Sequence, residues 1–372
     1  MTSVTEVSLF SPLRIGGCPL EHRIVMAPLT RSRAAHPGNV PTPMNAQYYG
    51  QRASSGGLII AEATQVSPMG RGIAQSPGIH SAEQVSGWKR VTDAVHARGG
   101  RIFLQLWHAG RVSHSTRLPG AALPIAPSAV AIRGELMVSG GRRVPYETPR
   151  ALTLQEIQGL VESFALAAQN ARDAEFDGVE IHGANGYLLE QFLHAGTNLR
   201  EDDYGGSLDN RVRFALEVAH AVAGVWGADR VGMRLSPYGV AADSSEPDPM
   251  PLYAHLIGGL RRLGLAYLHL IEPRASGVGA AEVDRAGLPS AAVLFRPMWD
   301  KVLISAGNHD AASAHAMVAS GHADAIAFGR LFIANPDLPA RLQRGTPLNR
   351  YDRSTFYTRG PQGYTDYPAM HA

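Results

Sequence analysis

Three side chains able to hold an oxygen and deliver a proton lie within six residues of one another, in Gly178-Val-Glu-Ile-His182-Gly-Ala-Asn185-Gly-Tyr187. A short β-branched run ends at His182, and Asn185 and Tyr187 follow on a turn punctuated by glycine. In parallel α/β proteins the reactive groups emerge where strands finish, because the connecting loops converge there. The trio is therefore positioned to grip one polar atom of a small substrate and to protonate its neighbour.

Other polar groups fall at the ends of similar runs. Thr30 follows Ala27-Pro28-Leu29, and Gln105 shares a period-two face with Phe103 and Trp107. Glu180 shares a face with His182, and Gly232 with Arg234. An arginine inside the apolar run Val231–Leu235 needs an anion or acceptor to offset its desolvation. That partner is either a ligand or a neighbour such as Glu180.

The later segments Ser305-Ala-Gly307-Asn308 and Phe328-Gly329-Arg330 place glycine where backbone must approach something closely. Such paired loops in barrels often cradle phosphate, with a helix N-terminus and a forked arginine facing the anion. Plain turn chemistry is the alternative. A phosphate pocket, Arg234 beside it, and neutral hydrogen-bonding groups such as Gln105 across the mouth suit flavin mononucleotide (FMN), with arginine stabilising charge on the reduced ring.

These groups need a scaffold that brings eight strand ends together. Apolar runs recur at Ile24–Ala27, Leu58–Ala61, Ile102–Leu106, Val179–His182, Val231–Leu235, Tyr267–Ile271, Val302–Ser305 and Ala325–Phe328. Amphipathic helical patterns lie between them, clearest over Leu154–Ala174, Leu208–Val225, Leu252–Leu263 and Ala311–Ser320. This alternation predicts a single α/β domain over residues 1–372, a TIM (β/α)8 barrel. The residues before Ile24 form an extra N-terminal segment able to plug the barrel's bottom. Residues 108–152, rich in Pro, Gly and Ser, are too irregular for a crossover helix and read as a cap or lid inserted after strand 3. The stretch Glu272 to Pro289 is a second candidate border of the mouth.

Composition narrows the chemistry. Hydrophobic residues make up 45% and charged residues 18% of 372, a globular rather than disordered balance. The formal net charge of +2 and the scattered basic residues argue against nucleic acid. No apolar window is long enough to span a membrane, and no signal peptide is recognisable in Met1 to Gly17, so a cytoplasmic location is expected. Cys18 is the lone cysteine, which excludes an internal disulfide. Lys89 and Lys301 are the only lysines, and Lys301 lies at the wrong end of its strand for Schiff-base chemistry. A phosphate-binding isomerase or aldolase without flavin remains the alternative enzyme class, and a non-catalytic flavin carrier is a further one. No carboxylate or cysteine joins His182 and Asn185 at ligand spacing, so no metal is expected.

From Leu9 to Pro368 the chain resembles the Old Yellow Enzyme family of FMN-dependent ene-reductases, in its classical branch with threonine at position 30. The resemblance rests on Met26-Ala-Pro-Leu-Thr-Arg31, Gly57-Leu-Ile-Ile-Ala-Glu-Ala-Thr64, Gln105-Leu-Trp-His-Ala-Gly-Arg111, His182-Gly-Ala-Asn-Gly-Tyr187, Asn198 to Ser207, Asn210-Arg211, Phe328-Gly-Arg330 and Gly363 to Pro368. It implies flavin contacts from Pro28, Leu29, Thr30, Ala63, Gln105, Arg234, Gly307, Asn308, Gly329 and Arg330. It also implies that His182 and Asn185 bind the substrate's carbonyl or nitro oxygen, that Tyr187 donates the proton, and that Trp107 and Tyr357 line the substrate pocket. The reaction implied is hydride transfer from NADPH or NADH, through the flavin, to the β-carbon of an activated alkene. Enones, maleimides, nitro compounds and nitrate esters are the implied substrates, and the protein is expected as a monomer or homodimer. At Arg71-Gly72-Ile73 the chain carries isoleucine where several bacterial relatives have tyrosine, which alters one pocket wall.

Overall fold

A computed structural model of the chain describes residues 7–138, 141–273 and 287–370. Eight parallel strands form its centre: β1 (Ile24–Met26), β2 (Leu58–Ile60), β3 (Arg101–Trp107), β4 (Gly178–Gly183), β5 (Val231–Leu235), β6 (Tyr267–Ile271), β7 (Val302–Ala306) and β8 (Ala325–Phe328). Each pairs in parallel with the next. β8 pairs with β1, and β4 pairs with β3, so the sheet closes on itself. This is the expected (β/α)8 barrel, with strand limits shifted by one residue at most.

Helices cover the outside. Leu154–Asp173 and Leu208–Trp226 match their predicted limits closely, and a capping box at Thr153 and Glu156 starts the first of them. The predicted helix from Leu252 begins earlier, at Pro249, because Asp248 caps it and proline fits the first helical position. Strand residues of one parity, such as Ile102, Leu104, Val179, Ile181, Val231 and Met233, pack outward against these helices.

Residues of the other parity fill the barrel. Val25, Leu58, Ile60, Phe103, Tyr267, Val302, Ile304 and Ala325 form an apolar floor. An antiparallel hairpin, Leu13–Ile15 with Cys18–Leu20, closes that floor from below and buries Ile15, Cys18 and Leu20 in it. Burial pushes the Cys18 thiol up to about 11, so it stays protonated and acts as a small apolar side chain.

Gly178 and Gly232 leave room for the two large rings of the floor. A Cβ on Gly178 would lie 2.5 Å from the Phe103 ring, and one on Gly232 would lie 2.1 Å from the Tyr267 ring. Gly232→Ala is therefore expected to cost about 1–3 kcal/mol by overpacking. A lowered thermal midpoint checks this, and an unchanged midpoint would contradict it.

Above the floor the inward positions turn polar. Gln105 follows Phe103, Glu180 follows Gly178, Arg234 follows Gly232 and His269 follows Tyr267, each two residues further along its strand. The period-two reading of strands 3, 4 and 5 places these side chains correctly. Between β3 and the helix at Leu154, the chain makes short strand pairs, Ile125–Ala126 with Arg150–Ala151 and Glu135–Met137 with Arg143–Pro145. Most of the stretch after Glu272, residues 274–286, lies outside the described residues.

Candidate active site

The strand ends open into a cavity of about 470 Å³. His182, Asn185 and Tyr187 all line it, together with Thr30, Gln105 and Arg234. Pro28, Leu29 and Ala63 form part of the wall, and Gly307, Asn308, Gly329 and Arg330 border it from the last two loops. Ile73 and Tyr357 also line it.

A buried network fixes the floor of the site. The Glu180 carboxylate accepts from Gln105 Nε2 at 2.8 Å, from His269 Nδ1 at 2.8 Å and from the Tyr267 hydroxyl at 3.1 Å. Burial raises its proton affinity, but the neighbouring His269, Arg234 and Gln105 outweigh that and hold the carboxyl below its ordinary value. Burial pushes the His269 imidazole down against the opposing pull of Glu180, Arg234 acts in the same sense as burial, and Nδ1 donates to the carboxylate. Gln105 is thereby held in one orientation from behind.

Arg234 is not consumed by this network. No ion pair within 4.0 Å joins it to Glu180 among the described residues, and its buried Nε has no hydrogen-bond partner there. Burial lowers its pKa and Glu180 pulls it back up. A guanidinium in this position is pre-set for an electron-rich ligand, since an unpaired buried donor is costly. The expected alternative, a salt bridge between Arg234 and Glu180, is thus not formed among the described residues.

His182 is likewise open on one side. Its buried Nδ1 lacks a partner, and burial, Arg234 and His269 all push its pKa well below normal. Its imidazole therefore favours the neutral form. Asn185 sits in the left-handed region at φ +60, with Gly186 at φ +76, so the turn projects the Asn185 and Tyr187 side chains toward the mouth. The Tyr187 and His182 rings meet edge to face at 5.1 Å. Tyr187 is partly buried and keeps part of its surface on the cavity, and burial raises its phenol well above the ordinary value.

Trp107 lies elsewhere than expected. It is fully buried and packs edge to face behind Tyr187 at 5.1 Å and 84°, in a cluster with Ala63, Ala109 and Ile73. It braces the Tyr187 ring and does not line the cavity. Tyr357 is at the rim and half exposed. Its segment is clamped from below by two buried arginines: Arg31 Nε and Arg33 donate to the Phe356 carbonyl at 3.1 and 2.9 Å, and Arg31 also reaches the Gly363 carbonyl at 2.6 Å. Tyr364 stacks on Tyr48 at 4.0 Å and locks the same segment to the barrel.

At the other end of the cavity Gly307 adopts φ +142, a conformation few other residues tolerate, which brings backbone to the surface of the site. Arg330 bonds to the Asn308 side chain and ties the two loops together. The helix opened by Gly329 spans only Arg330–Ala334, so its dipole is small and the positive charge here rests on Arg330. An unpaired arginine, an anchored amide, and a glycine-lined cationic end suit the ring and phosphate of a flavin mononucleotide.

Sequence reasoning missed His269, although period two along Tyr267-Leu-His-Leu-Ile puts it on the inner face. It also missed Tyr351 and Phe356, which line the cavity from a segment far away in the chain. Neither lysine approaches the site: Lys301 Nζ donates to the Gly264 carbonyl at 2.6 Å on the exposed outside, and Lys89 pairs with Glu175. Among the described residues no cluster of three or more His, Cys, Asp or Glu could hold a metal, and no helix is long and apolar enough to cross a membrane.

Known proteins are similar to this chain over nearly its whole length. The 12-oxophytodienoate reductase 1 of Oryza sativa subsp. japonica is 46% identical over 373 residues, covering 100% of this chain and 95% of its own. The 12-oxophytodienoate reductase 2 of Arabidopsis thaliana is 45% identical over 99% of this chain and 97% of its own. Morphinone reductase superposes with a TM-score of 0.92 at 48% identity, over 99% of this chain and 98% of its own. The old yellow enzyme homologue from Zymomonas mobilis gives 0.92 at 41%, over 98% and 100%. Residues 8–349 match the profile of the NADH:flavin oxidoreductase / NADH oxidase family. With its barrel and with Arg234, His182, Asn185 and Tyr187 on one cavity, the chain belongs to that family and, within it, to the Old Yellow Enzymes.

Proposed function

We propose that this protein is an FMN-dependent ene-reductase whose His182 and Asn185 bind the oxygen of an α,β-unsaturated carbonyl or nitro compound and whose Tyr187 protonates the α-carbon. The observation that carries this reading is the convergence of these three side chains on one cavity that is also lined by Arg234, which makes no ion pair among the described residues. Morphinone reductase has been solved in complex with tetrahydroNAD, which supports a reduced nicotinamide, NADPH or NADH, as the electron source. The names of the plant relatives, 12-oxophytodienoate reductases, support an oxo compound as substrate.

Arg234, Gln105 and Thr30 would hold the flavin ring, Pro28, Leu29 and Ala63 would pack along it, and Gly307, Asn308, Gly329 and Arg330 would hold the phosphate. A flavin held there would supply the hydride that the substrate's β-carbon receives. His182 and Asn185 withdraw electron density through their hydrogen bonds and stabilise the enolate-like charge as it develops. Tyr187 keeps its proton at neutral pH, because burial raises its pKa. It parts with that proton only to a strong base, and an α-carbon with carbanion character is one.

Residues 108–152 act as a cap in this reading. Arg111 supports this, because its guanidinium bonds to the Val130 and Ala242 carbonyls and so ties the cap's start to its middle and to the loop after β5. Ile73 and Tyr357 would set substrate fit. We place the protein in the cytoplasm as a monomer or homodimer, a location in keeping with its single, buried, unpaired cysteine.

A turnover screen of cyclic enones, maleimides, nitro compounds and nitrate esters with both nicotinamides tests the proposal. Enone-dependent oxidation of nicotinamide is the expected result, and oxidation indifferent to every acceptor except oxygen would overturn it. Arg234→Met is expected to weaken flavin binding about 10–100-fold, the worth of a charge-assisted hydrogen bond. Release of fluorescent flavin on dilution checks this, and undiminished retention would remove Arg234 from the flavin's contacts.

A further inference from the structure

Directly beneath the Asn185–Tyr187 turn lies a fully buried carboxyl group that the chemistry above does not use. Glu190 Oε2 accepts from the Gly186 amide at 2.5 Å. Its Oε1 accepts from the Ser236 hydroxyl and, at 2.9 Å, from the Tyr253 hydroxyl. Ser236 in turn accepts from the Asn185 amide at 2.9 Å. Both left-handed residues of the turn, Asn185 and Gly186, are therefore held by one carboxylate, the first through a single intervening hydroxyl.

We propose that Glu190 is a positioning residue whose negative charge fixes this turn, so that the grip of Asn185 and the aim of Tyr187 depend on Glu190 being ionised. The proposal rests on the roles given above to Asn185 and Tyr187. Three donors converge on two oxygens, a pattern that suits a carboxylate and crowds a carboxylic acid. The donor from Ser236 cannot turn away easily, because its oxygen is already occupied by the Asn185 amide.

Tyr253 has a second option. Its hydroxyl lies 3.0 Å from His194 Nε2, and His194 Nδ1 lies 2.9 Å from the Ser244 hydroxyl. With Glu190 ionised, Tyr253 donates to it and accepts from His194. With Glu190 protonated, the direction reverses along Glu190, Tyr253, His194 and Ser244, and the turn keeps only a neutral acceptor. A charge-assisted hydrogen bond is about twice as strong as a neutral one, so protonation loosens the turn.

The surroundings place this change in an accessible range. Burial pushes the Glu190 carboxyl up to about 7, against the lowering effect of Ser236, Gly186 and Tyr253. Burial also pushes His194 down to about 3, helped by Arg211 and Arg111, so it is no cation for Glu190 although it lies 4.0 Å away. Arg211 itself pairs with Glu246, and burial, with Glu190 and then Glu246, raises the Tyr253 phenol. Because the folded value of Glu190 is raised, its neutral form is the one folding favours. The stability it lends is complete below its ordinary value near 4.5 and is lost as pH rises through about 7. Activity and stability should thus move in opposite directions through neutral pH.

The test uses the flavin-loaded protein. Enone-driven reoxidation is expected to rise about tenfold as pH passes through neutrality, and Glu190→Gln is expected to abolish that step at the low-pH rate. Glu62 is also buried, with its carboxyl at about 7, so Glu62→Gln serves as a control in which the step must survive. Ser236→Ala, which keeps Glu190 but removes a donor that favours its charge, should move the step to higher pH. Amide exchange at Gly186 supplies a readout independent of turnover: Glu190→Gln should exchange about tenfold faster than the parent above neutrality and at the same rate about one unit below it. A step that persists in Glu190→Gln or stays in place in Ser236→Ala, or equal exchange rates at high pH, would overturn the proposal. Failure of the ene-reductase reading would instead remove enone turnover from every protein and leave the exchange difference standing.

Discussion

Tyr187→Phe is expected to slow reoxidation of the reduced protein by an enone about 10²–10⁴-fold, the usual contribution of a positioned general acid. Reduction of the same protein by nicotinamide should proceed at a near-normal rate, because no proton from Tyr187 enters that half-reaction. The ring itself remains, so its edge contacts with Trp107 and His182 at 5.1 Å survive the substitution. Rapid-mixing measurements of the two half-reactions separate chemistry from packing. Equal slowing of both would point to a disturbed cavity, and unchanged reoxidation would take the donor role away from Tyr187.

Asn185→Gly is expected to lower the same oxidative rate about 10²–10³-fold, as loss of one donor at a developing oxyanion does. Glycine is the informative choice here. Asn185 stands at φ +60, which alanine would adopt only at roughly 1–2 kcal/mol, whereas glycine accepts it freely. The backbone bond from residue 185 to Ser236 is also kept. Any loss in the glycine variant therefore reports on the side-chain amide, and affinity for the enone should fall with the rate. Full activity in Asn185→Gly would leave His182 as the sole polarising group.

Much of this site is legible in the chain because strand parity determines it locally. Phe103 and Gln105, Gly178, Glu180 and His182, and Gly232 and Arg234 each sit two residues apart, and alternation alone puts them inside one barrel. The same alternation reaches Trp107, but the inward position there opens onto the Tyr187 cluster and not onto the cavity. What alternation cannot supply is the choice of partner across strands. Glu180 was free to pair with Arg234 on charge grounds, yet Gln105, His269 and Tyr267 take it.

The remaining parts of the site depend on contacts between distant residues. Arg31 holds the Phe356 and Gly363 carbonyls across more than 300 positions, and no local pattern marks Phe356 or Tyr351 as cavity residues. Glu190 lies on the short helix Leu188–Leu193, where every residue is buried, so an amphipathic pattern that would distinguish it is lacking. Besides the nearby Gly186 amide, its partners come from beyond β5 and from the helix Pro249–Leu263. Both cases are tertiary decisions that no single segment carries.

The central claim, that this barrel uses a flavin to move hydride to an alkene polarised by His182 and Asn185, is tested most directly by an anaerobic titration of the purified protein. Its flavin absorbance should disappear on addition of one equivalent of NADPH or NADH and return on addition of one equivalent of 2-cyclohexenone, with one equivalent of cyclohexanone formed. A reduced flavin that stays reduced in the presence of the enone, and recovers its absorbance only when oxygen is admitted, would contradict the account.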